Sequence, residues 1–388
     1  MTQVGIDLGQ FVSDPYTSGI QRVLQYLARE WPSEDVPCDF VVPYGREFLL
    51  LNPTQAATML DAAFAMSGGD EVRRVVGEAV ERLAVECPKV RPAELLSMYS
   101  SWLLPEVSYD HQVLNRLELF SKAMPCTMIG YDALPMTDPA NYRFTPGSAA
   151  LVSEYFRLLT LVDSVVCISD YSRESILHRL RRHPSRKTVV AHPGGDHIPA
   201  EFAESKAKNA VESDVVRFLR VGTLEARKMP KEILSAFQAA RQYHSNIELR
   251  LVGNPSASDS SINNAIESAV ADGTGVSWVQ GASDAEVWTE MRNADVFLSI
   301  GTEGFGIPVL ESIRVGTPVV AGGIQPAAQI MSGRGARIVT ADDPQSIAAL
   351  FEEFASPNAV ASLQSEVQPS SIPLWRDFVH HVANTCID

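Results

Sequence analysis

The chain has 388 residues, 45% of them hydrophobic and 20% charged, and since domains usually hold about 100–200 residues, two cores are expected. A formal net charge of −15 excludes nucleic acid as a main partner, because phosphate binding needs concentrated Lys and Arg. Cys38, Cys87, Cys126, Cys167 and Cys386 are scattered without CxxC spacing, which excludes a zinc ribbon or a disulfide framework and reads as reduced thiols in a cytosolic protein.

In chain order, residues 3–8, "QVGIDL", read as a short buried strand. The first ten residues carry no basic stretch followed by an apolar one, so no signal peptide is expected. No apolar run approaches the roughly 20 residues of a membrane span. A loop, "GQFVSDPYTSG", leads into a helix with Ile20, Val23, Leu24 and Leu27 on one face and Ser18 or Gly19 as its cap. Gly19 at a helix start admits close approach of a phosphate, but the loop is neither GxGxxG nor a P-loop.

"CDFVVPY" reads as a strand, and residues 55–125 as mostly helical with weak patterning. "CTMIGYDALP" is a strand and loop in which Asp132 either faces a ligand or forms an Asx-turn before Pro135. "DSVVCISDYSRESILHRL" reads as strand, cap and helix. The run "HRLRRHPSRK", residues 178–187, sets Arg179, Arg181, Arg182, Arg186 and Lys187 against the acidic whole. It offers a contact for anionic lipid headgroups or a lipid-linked diphosphate; a solvated helix end is the other reading.

After the strand "KTVVAHPGG", residues 192–214 are polar, contain Gly and Pro, and mark a boundary. A second series then alternates strands rich in Val, Ile and Leu with amphipathic helices, from "VVRFLRVG" to "ARIVTADDPQSIAALFEEF". The alternation predicts an α/β protein with parallel sheets in two halves.

Two stretches in the second half carry chemistry. In "VGTLEARKMPKEI", residues 221–233, a strand ends at Gly222 and Arg227 and Lys228 stand just before a helix. Adjacent cations there clamp a diphosphate, or else are solvated loop residues. In "GTEGFGIPVLESIRVGTPVV", residues 301–320, a glycine turn follows a strand, Pro308 suits the first helical position, and Gly316 with Pro318 ends the helix. Free N–H groups at such a start favour anions, and ligands of open parallel sheets sit at this edge. Glu311 is placed to reach a polyol such as a ribose and Glu303 to face a ligand; a surface Glu and a capping Glu are the alternative. The chain has no HExxH, no Asp-x-Asp and no GxSxG, so no metal is expected.

Together these residues resemble the retaining glycosyltransferases of the GT-B fold, specifically glycosyltransferase family 4 (the glycosyl transferases group 1 family). "VGTLEARK" resembles its V-G-x-x-x-x-R-K, and residues 276–322 follow its pattern through E-x7-E and beyond. "SGIQRV", "VVCISDYSRESI" and "LWRDFVHHV" are similar more weakly, and roughly residues 50–120 lie outside the likeness.

The resemblance implies two Rossmann-like parallel-sheet domains facing each other across a cleft. Residues 1–200, with a crossover helix at about 372–388, would bind acceptor; residues 201–371 would bind the nucleotide-sugar donor. It implies that Arg227 and Lys228 hold the donor diphosphate, that Glu311 binds the ribose, and that Glu303 lies beside the donor sugar. Gly222, Thr223, Gly304, Phe305, Gly306 and Ile307 would contact sugar and phosphate, with Gly281 bordering the base, Gly19 approaching the phosphates from the first domain, and Asp132 orienting the acceptor. Tyr131 stands where the family often has His, and Ser299-Ile300 where it often has Pro-Ser.

The implied reaction moves a hexose or 6-deoxyhexose, of mannose or rhamnose/fucose type, from a nucleoside-diphosphate sugar. It needs no metal or cofactor. The acceptor would be a glycan or lipid-diphosphate-linked glycan of bacterial surface polysaccharide (O-antigen, capsule or exopolysaccharide). The expected place is the cytoplasm, with residues 178–187 meeting the inner membrane face. The alternatives are a nucleotide-sugar epimerase, a phosphorylase, or a catalytically silent sugar-nucleotide-binding protein.

Overall fold

The computed structural model describes residues 3–66, 68–139, 142, 146–203, 215–341 and 343–387. The chain divides into two compact units, residues 1–139, 143–193 and 374–388 in the first, and 140–142 with 194–373 in the second. The divisions thus fall at 193/194 and 373/374, beside the 200/201 and 371/372 expected from sequence.

The first unit holds β1 (Val4–Asp7), β2 (Cys38–Tyr44), β3 (Glu47–Leu51), β4 (Lys89–Val90), β5 (Ser101–Leu104), β6 (Cys126–Gly130), β7 (Ser164–Cys167) and β8 (Lys187–Val190). They form one sheet in the order β4-β3-β2-β1-β5-β6-β7-β8. One strand departs from the all-parallel expectation: β3 pairs antiparallel to both of its neighbours, β2 and β4. A tight turn at Gly45 (φ 60°) reverses the chain there. The span read as mostly helical also supplies β5, a central strand whose four residues "SWLL" are all buried.

The second unit holds β9 (Val216–Val221), β10 (Ile247–Val252), β11 (Val276–Val279), β12 (Val296–Thr302), β13 (Val319–Ile324) and β14 (Ala336–Val339). Their order is β11-β10-β9-β12-β13-β14, and every pairing is parallel. Strands covered on both faces read as continuous apolar runs, as "VFLSI" does in β12. Phe218 and Phe351 meet edge-on at 4.8 Å in this core.

In each sheet the strand order reverses once, between β1 and β5 and between β9 and β12. Ligands of doubly wound sheets bind beyond the strand ends at such points. The final helix, Trp375–Ile387, belongs to the first unit. Its Trp375 is fully buried and stacks on Tyr26 with ring centroids 4.7 Å apart.

Candidate functional site

The reversal point of the second sheet collects most of the residues singled out from sequence. β12 ends at Thr302, and the helix Ile307–Arg314 starts after the turn with Gly306 (φ 105°) as its cap. That places Pro308 second in the helix rather than first. Opposite the turn, β9 gives way at Gly222 to a loop ending in the short helical turn Ala226–Lys228.

The two loops interlock because β12 has a glycine at 301. A Cβ there would lie 2.2 Å from the Arg227 carbonyl oxygen and 2.8 Å from Lys228 Cα, and its φ is 105°. With no side chain in the way, the Arg227–Lys228 backbone rests on the end of β12. Arg227 Nη1 then donates to the Thr302 carbonyl at 2.6 Å and to Glu303 Oε2 at 2.8 Å, while Lys228 Nζ lies 3.1 Å from Glu303 Oε1. Arg227 also pairs with Glu225. Met229, the next residue, takes a left-handed conformation (φ 55°) and caps the helix Pro230–Arg241, a strained geometry of the kind found where a backbone is held for a purpose.

Burial alone would raise the Glu303 carboxyl, but Lys228 and Arg227 outweigh it and hold the pKa down at about 2. Glu303 is therefore ionised at neutral pH. Burial pulls Lys228 below the ordinary lysine value, partly offset by Glu303. Arg220, itself buried, is lowered by burial in the same way and feels Glu303. The group thus holds three cations, Arg220, Arg227 and Lys228, against two carboxylates, Glu225 and Glu303, and carries one surplus positive charge in a poorly solvated place. Such a surplus attracts an anion.

Glu311 lies on the same helix but in different company. Its Oε1 accepts from His197 Nε2 at 2.6 Å and faces Trp288 Nε1 at 3.4 Å. The two glutamates are not a facing pair: one is held by cations, the other by a histidine and an indole. Gln325 completes the support beneath the turn. Fully buried, it accepts from Ser299 Oγ at 2.8 Å and donates to the Gly301 carbonyl at 3.1 Å. The Phe305 carbonyl accepts from Ala327 N–H at 2.9 Å.

The remaining candidates fall as follows. Gly222 sits against Lys228, its Cβ position 3.0 Å from Nζ, and Thr223 follows it in the same loop. Gly304 and Ile307 flank the helix start. Gly281 lies just past β11, at the sheet edge three strands from β12. In the first unit, Ser18 rather than Gly19 caps the helix Gly19–Glu30, its Oγ accepting from Ile20 N–H. Asp132 forms the Asx-turn, Oδ1 accepting from Leu134 N–H at 2.9 Å. Tyr131 points inward, its hydroxyl donating to the Pro105 carbonyl at 2.7 Å.

One part of the basic run needs correcting. Arg182 is not a surface cation: it is buried and donates to the carbonyls of Leu159, Val162, Asp163 and Lys187 and to Thr188 Oγ1, all within 2.9–3.0 Å. All five of its N–H donors are used inside the first unit. His178, Arg179, Arg181 and His183 remain exposed.

Sequence reasoning missed His197, Trp288, Gln325, Gly301 and Arg220. His197, Arg220 and Gln325 lie outside the stretches singled out, and Gly301 and Trp288 lie inside them with no local mark of their role; only the fold shows what they touch. Among the described residues no group of three or more His, Cys, Asp and Glu is arranged to hold a metal ion. No described helix is long and apolar enough to cross a membrane.

Residues 201–363 match the family described as "Glycosyl transferases group 1". The serotype-specific mannosyltransferase WbdA of Escherichia coli is 26% identical over 207 residues, which cover 50% of this chain and 25% of WbdA. The chain thus spans about a quarter of the length of the curated relatives it matches. Its fold is similar to that of Anabaena HepE, solved in complex with UDP and glucose (TM-score 0.65, 13% identity, 99% of both chains). It is also similar to sucrose-phosphate synthase from Thermosynechococcus elongatus (TM-score 0.63, 14% identity, 99% of this chain and 98% of that one).

Proposed function

We propose that this chain, a GT-B fold protein related to the glycosyl transferases group 1 family, is a retaining glycosyltransferase using a nucleoside-diphosphate sugar. The observation that carries the reading is the Glu303 carboxylate held by Lys228 and Arg227 at the end of β12. It puts cations for a diphosphate and a fixed carboxylate for a sugar at one strand end.

Departure of the diphosphate is the difficult step, because negative charge grows on the leaving oxygen. Arg227 and Lys228 meet that charge, and in a poorly solvated place such contacts are strongest in the transition state. Glu303, ionised at neutral pH, accepts hydrogen bonds from sugar hydroxyls and supports positive charge at the anomeric carbon. It cannot donate the proton that a glycosidase acid must donate, since such an acid needs a raised pKa. Glu311 takes the ribose hydroxyls, and the backbone from Gly304 to Ile307, with Gly222 and Thr223, lines the diphosphate and sugar. The acceptor hydroxyl attacks from the face the diphosphate leaves, and the leaving phosphate takes its proton, so no protein nucleophile and no metal is required. In the first unit, Gly19 serves the phosphates and Asp132 the acceptor hydroxyl.

The donor proposed is a hexose or 6-deoxyhexose of mannose or rhamnose/fucose type, in keeping with the mannosyltransferase relative. The acceptor proposed is a surface-polysaccharide glycan or its lipid-diphosphate-linked precursor. Work in the cytoplasm, with the exposed cations around Arg179 and Arg181 meeting a membrane face, completes the proposal. Incubation with GDP-mannose, UDP-glucose and dTDP-rhamnose, with NMR of the product's anomeric centre, tests it. Acceptor-dependent transfer with retained configuration is expected. Epimerised donor without acceptor, or a sugar phosphate formed only with inorganic phosphate, would assign the fold to another chemistry.

A further inference from the structure

The first unit contains a buried acid that the reaction as described does not use. Glu106 follows β5, at the reversal point of that sheet, and is fully buried. Its Oε1 accepts from Gln21 Nε2 at 2.7 Å, and Oε2 has no hydrogen-bond partner among the described residues. Gln21 is itself buried and accepts from Ser18 Oγ at 2.6 Å; Ser18 in turn caps the helix that begins at Gly19. On its other side, the preceding residue, Pro105, receives the Tyr131 hydroxyl. The Glu106 carboxyl thus reaches the helix start at Gly19 through Gln21 and Ser18, while the backbone carbonyl of its neighbour Pro105 holds Tyr131, beside the turn at Asp132.

We propose that Glu106 is a positioning residue held in its neutral form, setting the Gly19 helix start through Gln21 and Ser18. The inference rests on the proposed donor role of Gly19. An ionised carboxylate with an unpartnered oxygen and no exposure would be costly, whereas the neutral acid loses far less. The surroundings agree. Burial foremost, with smaller contributions from Asp7 and Asp14, pushes Glu106 up to about 8 against the lowering hydrogen bonds from Gln21 and the Phe11 N–H. Tyr16 and Tyr131, which also feel its charge, are phenols whose own values burial raises. Arg116 is committed to Asp7, one of these charges, in a two-pronged pair at 2.7 Å. At neutral pH the acid is protonated and the network intact. Above about pH 8 it ionises with no ion-pair partner among the described residues, and the helix start it supports loosens.

The test is the pH profile of kcat/KM for the nucleotide-sugar donor in the wild type, Glu106→Gln and Glu106→Leu. Gln copies the neutral acid in size and polarity; Leu removes the acceptor that Gln21 needs. The expected result is an alkaline fall in the wild type with a midpoint near 8, absent in Glu106→Gln, which at pH 7 works within about threefold of wild type. Glu106→Leu should raise donor KM about tenfold, the scale of a lost buried hydrogen bond, with kcat changed less. Circular dichroism and a thermal melt report the folded fraction of each variant. The alkaline fall persisting in Glu106→Gln, or an unchanged donor KM in Glu106→Leu, overturns the inference while leaving the proposed function standing. A wild type that neither turns over nor binds any nucleotide sugar overturns the function itself, and the inference with it.

Discussion

His197 and Glu311 stand 114 positions apart in the chain and meet at 2.6 Å, His197 Nε2 donating to the carboxylate, with both side chains at least about nine-tenths buried. The contact lies wholly within the second unit. It fixes one oxygen of the glutamate proposed to hold the ribose, so the direction of that carboxylate is set by a loop that precedes β9. Trp288, edge-on to Phe202 at 5.4 Å, closes the same side.

Removing the histidine leaves a buried carboxylate short of a donor. His197→Ala is expected to raise donor KM about tenfold with a smaller change in kcat, since the loss falls on uniform binding rather than on the reacting centre. His197→Gln, which retains an N–H, should recover part of the loss. Steady-state kinetics at varied donor decide it: an unchanged KM in His197→Ala would separate the histidine from donor binding.

Lys228 should behave differently. Its charge faces the leaving group mainly in the transition state, so Lys228→Ala is expected to lower kcat by roughly 10²-fold or more, by analogy with removing one oxyanion donor. Turnover close to wild type would take Lys228 out of the site.

Glu303 makes a prediction about stability. Its folded pKa of about 2 lies below the ordinary 4.5, so the carboxylate stabilises the folded state at pH values above 4.5, and that contribution is lost as pH falls toward 2. Thermal melts of wild type and Glu303→Gln between pH 3 and 7 should show the wild type ahead at pH 7 and the gap closing on acidification. A gap independent of pH would mean that the cations do not act on this carboxyl.

Gly301 tests the interlocked loops. An added Cβ would sit 2.2 Å from the Arg227 carbonyl oxygen at a φ that L-residues rarely adopt, so Gly301→Ala should cost about 1–3 kcal/mol or displace the Arg227–Lys228 turn. Chemical denaturation together with donor kinetics measures both. A variant of normal stability and normal kcat would show that the close approach is not needed.

How much of this was legible depends on whether a signal was local. Most strands of the second unit announce themselves by an apolar run with a glycine or proline close by, and Arg227, Lys228, Glu303 and Glu311 sit beside that punctuation. The first unit was harder to read. β5 has only four residues, and its "SWLL" lies between helices with nothing nearby to mark a central strand. β3 turns back on β2 through a hairpin, and β4 pairs antiparallel to it only after two intervening helices, in a region that otherwise alternates strand and helix. Arg182 looked like one more cation in a basic run, because sequence shows charge but not the four carbonyls that surround it. His197 and Gln325 were invisible for a related reason: a long-range partner leaves no periodicity in the sequence around it.

The central claim is that the end of β12 holds a nucleoside diphosphate through Arg227, Lys228 and Glu311. Calorimetric titration with GDP, UDP, dTDP and ADP, on wild type, Arg227→Ala and Glu311→Ala, tests it most directly. The account predicts that one base is bound in preference and that both variants weaken that binding about tenfold or more. Wild type binding none of the four, or binding that both variants leave unchanged, would contradict it.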